Sequence, residues 1–304
     1  MGTDQNPPLF TVFTGTYNRG ALLRRVYECL LAQTLQDFEW LVVDDGSTDD
    51  TRQIVAEMIA EGRLRIRYFY KPNGGVHTAH NVAVQHAAGR FFMRCDSDDE
   101  FVPEAMQTFV AAWRSILEER HYQFSGVSCL CMDKRGRPIG DPYPRDGWDS
   151  DWRTLSELRG EKWGIHLTRI LRDFPFPQFK GERQVPEGVV WGRVHDHYRT
   201  RCINVPLRIY HAAPDQLSKK ISRLRYSCAN AYTLYYAEEL ARKHSTFRKL
   251  KLAVSYVRVT RGLGLRWARI ISGSPHKVLT ALVAPVGLGL YFLDRKRGLA
   301  GPAR

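Results

Sequence analysis

Over the first hundred residues the apolar pattern keeps changing period. Residues 9–14 form a short β-branched run, whereas residues 21–33 place Leu22, Leu23, Val26 and Leu30 at helical spacing. Residues 38–43 again read as a buried strand, and Ser47 with Asp49 and Asp50 opens a helix running to about residue 61. A third strand over 64–70, a KPNGG turn at 71–75, a helix over 76–88 and a fourth strand over 91–94 complete the series. Strands that alternate with helices in this way bury their faces as a parallel sheet with helices on both sides. Further on, the pattern predicts a proline-opened helix over 103–120 and a strand over 126–132 that leads into the DKRGRP turn. Beyond Pro142 the signal weakens, with a helix over 186–199 and short strands over 201–205 and 207–211.

A chain of 304 residues that is 43% apolar and 25% charged is long enough to bury a substantial core, which excludes disorder and a disulfide-stapled miniprotein. Its net charge of +13 is unevenly spread. Residues 218–304 hold 18 Lys and Arg against Glu238, Glu239 and Asp294, so this stretch carries +15 and the preceding 217 residues −2. The organisation that follows is a globular domain over residues 1–217, divided at about 9–110 and 111–217, and a basic helical extension over 218–304 with soft breaks at 262–264 and 272–275. A cationic segment on a near-neutral domain calls for an anionic partner surface. Cys29, Cys95, Cys129, Cys131, Cys202 and Cys228 suggest neither zinc pairs nor a secreted disulfide framework. With no basic leader followed by an apolar run, the expectation is a cytoplasmic protein.

Open parallel sheets bind ligands beyond the carboxyl ends of their strands. There the sequence places TGTYNR (14–19), DDGSTD (44–49), the Asn73-Gly74-Gly75 turn and DSDD (96–99). Asp96 and Asp98, two apart at the end of an extended segment, can present both carboxylates together. Like charges that close are costly unless a cation joins them, and Mg²⁺ or Mn²⁺ takes oxygen ligands while leaving positions for phosphates. The competing reading is an acidic loop that caps the helix after Pro103.

Taken together, the segments TGTYNR, QDFEWLVVDDGSTD (36–49), NGGVHTAHN (73–81) and DSDDEFVP (96–103) resemble the family 2 glycosyltransferases, in order and in spacing. The resemblance covers residues 9–110 and implies an inverting enzyme with the GT-A nucleotide-sugar fold, a Rossmann-like, mostly parallel sheet flanked by helices. It implies a nucleotide site built from Thr14, Gly15, Tyr17, Arg19, Asp45, Asn73, Gly74, Asn81 and Asp96. In it Tyr17 borders the base, Asp45 accepts the base imide proton, Asp96 approaches the ribose, and Asp98 holds Mn²⁺ or Mg²⁺ on the diphosphate. A carboxylate suits uracil N3–H and repels a cytosine ring nitrogen, so a UDP-linked donor is favoured. Gly15 offers backbone only, and Arg19 offers a fork to the diphosphate. Val76 stands where many relatives carry a base, which removes one contact to sugar or phosphate.

On the acceptor side the resemblance is looser, through GERQVPEGVVWGR (181–193). It makes Glu187 the catalytic base, with Glu182 as second choice and Arg193 closing the motif; glycine follows Glu187 where the family often has a second acid. His211, at the end of a strand, would touch diphosphate or metal. In the extension, bases from Arg248 to Arg269 interleave with Leu250, Val254, Val257, Leu263, Trp267 and Ile270, as in helices that lie on anionic lipid. Residues 278–293 carry no charge, yet Pro285, Gly287 and Gly289 interrupt them, so an interfacial segment fits better than a crossing; a hairpin packed on the domain is the alternative. The acceptor expected is lipid-linked, lipopolysaccharide or polysaccharide, and the location peripheral at the inner face of the plasma membrane. No nucleic-acid motif accompanies the bases, so nucleic acid is not an expected partner. Two rivals remain: a sugar nucleotidyltransferase, though TGTYNRG lacks the lysine its activation loop needs, and a binding scaffold with a vestigial site.

Overall fold

The computed structural model describes residues 6–211 and 221–300. Residues 6–175 with 193–211 make one compact unit, and 176–192 with 221–300 a second.

In the first unit the alternating pattern becomes β1 (Phe10–Thr16), α1 (Gly20–Leu31), β2 (Phe38–Asp44), α2 (Thr51–Ala60), β3 (Ile66–Tyr70), α3 (Val76–His86) and β4 (Phe91–Arg94). After these come β5 (Glu100–Phe101), α4 (Ala105–Arg114), a 3₁₀ turn at Glu118–Gln123, β6 (Phe124–Met132), β7 (Pro138–Ile139), β8 (Trp148–Asp149) and α5 (Trp152–Leu155). β9 (Lys162–Leu167), α6 (Thr168–Asp173), α7 (Gly188–His195, which begins in the second unit) and β10 (Arg199–Ile209) follow. The helix expected over 103–120 is therefore shorter, and the two late strands are one strand whose register slips at Pro206.

The sheet runs β3-β2-β1-β4-β9-β6-β10-β5. β3, β2, β1 and β4 are mutually parallel, as are β6 and β10. β9, which the sequence pattern did not announce, is antiparallel to both β4 and β6 and joins the two parallel blocks. The sheet is thus mixed and mostly parallel. Chain order reverses at β1: the first two crossovers move outward to β3, and the third returns to the other side of β1. Right-handed crossovers then put α3 on the face opposite α1 and α2, and open a crevice beyond the carboxyl ends of β1 and β4.

β1 and β2 are buried along almost their whole length, as strands covered on both faces must be. Inside β2 sits Glu39, fully buried; it accepts from Thr11 Oγ1 (2.7 Å), the Ala88 amide (2.7 Å) and Arg67 Nη1 (2.9 Å). Buried charge survives only when satisfied in this manner.

The second unit contains α8 (Ile221–Ser227), α9 (Ala229–Ala241), α10 (Thr246–Gly262), α11 (Trp267–Ser272) and α12 (Lys277–Lys296). α10 packs on α9 and α12, and the expected breaks at 262–264 and 272–275 fall between helices. Two buried acids anchor it. Glu239 meets Arg242 (2.8 Å), His244 (3.2 Å) and Arg248 (3.5 Å), and Asp294 receives a two-pronged bond from Arg258 (2.6 and 2.7 Å) with Tyr226.

Candidate active site

Register explains why the loops meet. Thr16 ends β1 beside Asp44 at the end of β2, and Asp44 in turn pairs with Tyr70 at the end of β3. The loops are then stitched by short side chains. Asn18, in the left-handed region at φ 51°, accepts the Thr48 amide (2.8 Å) and gives its own amide to Ser47 Oγ (2.9 Å). Asp44 accepts the Ser47 amide (2.7 Å) and the Tyr68 hydroxyl (2.6 Å). Gly46 has φ 90°, and a Cβ there would lie 2.8 Å from the Asn73 nitrogen, so only glycine lets these loops touch.

Asp45 is the centre of this half of the site. Its Oδ1 accepts from Lys71 Nζ (2.5 Å) and the Gly74 amide (2.9 Å), and its Oδ2 from the Gly75 amide (2.7 Å). The anion that the Gly74 and Gly75 amides approach in this structure is the chain's own carboxylate. Asn73 lies against Gly46, and Asn81 is half-buried on α3. Tyr17 stands 46% exposed beside these loops, with its ring available for stacking. Thr14, by contrast, lies in the core, where its Oγ1 accepts from the Trp40 indole (3.0 Å); it supports the strand end from below. Gly15 packs against Phe13, Val76 and Ala79.

The second half is a charge cluster at the end of β4. Asp96 accepts from Arg94 Nε (2.7 Å) and lies 3.8 Å from Arg208, which is 2.7 Å from Asp99. Asp98 faces Arg19 at 3.1 Å, and His211 is 3.4 Å from Glu100. Burial, and next the charge of Asp96, push the Asp99 carboxyl up to about 7 even with Arg208 beside it. Burial would raise Asp96 as well, but Arg94 and Arg208 outweigh it and hold that carboxyl below its ordinary range.

The donor set suits a hard dication. It is carboxylate oxygen at a strand end, and among the described residues no three acid, His or Cys side chains converge into a closed cage. Asp98, paired with Arg19 at 3.1 Å, is the carboxylate that would hold such an ion.

Arg19, Asp96, Asp98 and His211 thus gather at one cluster, and Tyr17, Asp45, Asn73 and Gly74 at the adjoining loops. Glu182 and Glu187 belong to the second unit. Glu182 does not serve as a spare base: its carboxylate holds the start of α9, accepting the Asn230 amide and side chain (both 2.8 Å) and the Ala231 amide (2.9 Å). Glu187 is exposed, and its carbonyl accepts the Val190 and Trp191 amides as α7 begins, with Arg193 farther along that helix. Sequence reasoning missed Lys71, Arg94 and Arg208, and noted Asp99 only as part of the acidic run 96–99. Lys71 was visible as the base directly before the turn, whereas Arg208 lies in a strand some 110 residues from its acid partners and carries no local signal.

Residues 11–117 match the profile of Glycosyl transferase family 2. That segment, about a third of the chain, carries the family 2 glycosyltransferase signature. The chain is 28% identical to the putative glycosyltransferase EpsE of Bacillus subtilis over 267 residues, 84% of this chain and 88% of that one. Two solved structures carry the GT-A fold across most of its length. S. aureus TarS 1-349 in complex with UDP-GlcNAc matches 95% of this chain and 92% of its own, with a TM-score of 0.58 at 16% identity. Mannosyltransferase PcManGT from Pyrobaculum calidifontis, with GDP-Man and Mn²⁺, matches 95% and 82% with a TM-score of 0.54 at 18% identity. Some curated relatives are much longer: the chain spans about a fifth of a Rickettsia felis glycosyltransferase to which it is 33% identical over 129 residues.

Proposed function

We propose that this glycosyltransferase moves a sugar, with inversion, from a UDP-linked donor to a hydroxyl of a lipid-linked, lipopolysaccharide or polysaccharide acceptor. The reaction depends on Mn²⁺ or Mg²⁺ and takes place at the inner face of the plasma membrane, with the basic extension against anionic lipid. The observation that carries the reading is the convergence, beyond β1, β2 and β4, of an exposed Tyr17, a carboxylate fixed by two amides and a lysine, and Asp98. TarS with UDP-GlcNAc and PcManGT with GDP-Man and Mn²⁺ lend the donor class and the ion.

Tyr17 borders the uracil, while the Asp45 oxygen that holds only the Gly75 amide has a lone pair left for N3–H. Asp96 receives the ribose. A dication on Asp98 would neutralise charge on the departing diphosphate. Arg19, 3.1 Å from Asp98, would fork onto the same phosphates. Glu187 takes the acceptor proton as the hydroxyl oxygen bonds to the anomeric carbon and the bond from that carbon to the diphosphate oxygen breaks, releasing UDP.

Calorimetric titration with UDP and GDP, with and without Mn²⁺, tests this. UDP should bind at least about tenfold more tightly with the ion. Asp98→Asn should abolish UDP release from a UDP-sugar without lowering the melting temperature. Preference for GDP, or undiminished turnover in Asp98→Asn, overturns the reading.

A further inference from the structure

α12 is built with two unlike faces. Thr280, Val283, Ala284, Gly287, Tyr291 and Asp294 are buried, and Gly287 comes so close to α10 that a Cβ would lie 2.7 Å from Val257. Val278, Leu282, Val286 and Leu293 stand 76%, 73%, 57% and 48% exposed. At 100° per residue these four fall within a single stripe about 22 Å long, and exposed Phe292 flanks it. Soluble surfaces rarely leave such a contiguous apolar run bare. Charge frames it instead of interrupting it, with exposed Lys277 before the stripe and exposed Arg295, Lys296 and Arg297 after it. α11, packed on α12, adds Trp267 at 37% exposure between exposed Arg266 and Arg269.

Taking up the peripheral-membrane part of the reading above, we propose that α12 lies in the plane of an anionic bilayer. Its 278–293 stripe sinks among the acyl chains and its basic ends engage headgroup phosphates. The helix is long enough to cross, yet it does not. Crossing would strip its other face from α10 and leave Asp294 in hydrocarbon without the two-pronged bond to Arg258. The two alternatives posed by the sequence, a helix packed on the protein and a helix resting on lipid, are opposite sides of one element.

The full chain is sedimented with phosphatidylcholine vesicles and with vesicles containing phosphatidylglycerol, across a salt series and after an alkaline carbonate wash. Binding should require the anionic lipid, weaken with salt and be released by the wash. Leu282→Glu with Val286→Glu should lower vesicle affinity about tenfold or more, while Lys296→Gln with Arg297→Gln should flatten the salt dependence. Melting temperature and the UDP-induced shift are followed in each variant, so loss of donor binding is read separately from loss of lipid binding. If the wild type binds anionic vesicles and the Leu282/Val286 variant binds equally well, the membrane location stands and the role of α12 falls. Resistance to carbonate marks a spanning helix and overturns the proposal, as does a dimer that the Glu substitutions dissolve without any effect on vesicles.

Discussion

At the scale of single residues, Asp45, the carboxylate proposed to meet the base, is already held in one orientation by the chain itself. Two glycine amides and Lys71 fix its carboxylate, so its orientation costs nothing further on binding. Asp45→Asn keeps the shape but exchanges one acceptor oxygen for a donor facing amides or a lysine. UDP affinity should fall at least about tenfold, and stability by about 1–3 kcal/mol; calorimetry and urea denaturation would check both. Asp45 itself is legible in the sequence, since an acid after a buried strand and before Gly-Ser-Thr is a strand-end signal. The partners that hold it lie 26 to 30 residues away, and no local pattern names them. Glu182 teaches the converse: it looks like a base in the chain and proves to be a helix cap, because the amides it serves belong to α9, 48 and 49 residues on.

Among elements, the parallel block of the sheet was readable because each strand and helix announces its own period. β9 was not. It alternates correctly, with Trp163, Ile165 and Leu167 inward, but it is six residues long, follows an irregular stretch and contains Gly164. That glycine weakens the strand signal while being required by the fold, since a Cβ there would lie 2.2 Å from the Val127 oxygen. Glu39 ties the parallel elements together, joining β2 to β1, to β3 and to the residues after α3. Burial alone would raise its carboxyl, but the Ala88 amide, Thr11 and Arg67 more than compensate and hold it below the usual carboxylate range. A depressed folded value means that this stability is present above about pH 4.5 and lost as pH falls through the folded value. Glu39→Gln should therefore destabilise the protein by about 3–5 kcal/mol at neutral pH and flatten its decline in acid. Denaturant midpoints measured from pH 7 down to pH 3 would show it; parallel curves for mutant and wild type would contradict it.

Across the whole molecule the charge asymmetry seen in the sequence coincides with a division of labour between cores. The first unit gathers acids at the ends of β2 and β4, besides the buried tie Glu39; the second uses scarce acids as internal ties. Asp294→Asn should loosen α12 from α10, at a cost of about 3–5 kcal/mol to that unit, without changing the UDP-induced shift of the first. Hydrogen exchange along α10 and α12, compared with β1 and β2, would distinguish the two. How far function could be read follows the same division. The donor side is spelled out in four loops over about a hundred residues, whereas the acceptor side and its base depend on chain segments whose meaning is set by distant partners.

The pairing of Arg19 with Asp98 has one more consequence. If Asp98 holds the ion as proposed, a tethered cation already sits where a free one would have to land, and dissolved metal by itself would meet a competitor that cannot diffuse away. A diphosphate would offer the guanidinium another partner and so free the carboxylate. On that reading ion and nucleotide would arrive together, and a loaded metal without a donor would be disfavoured.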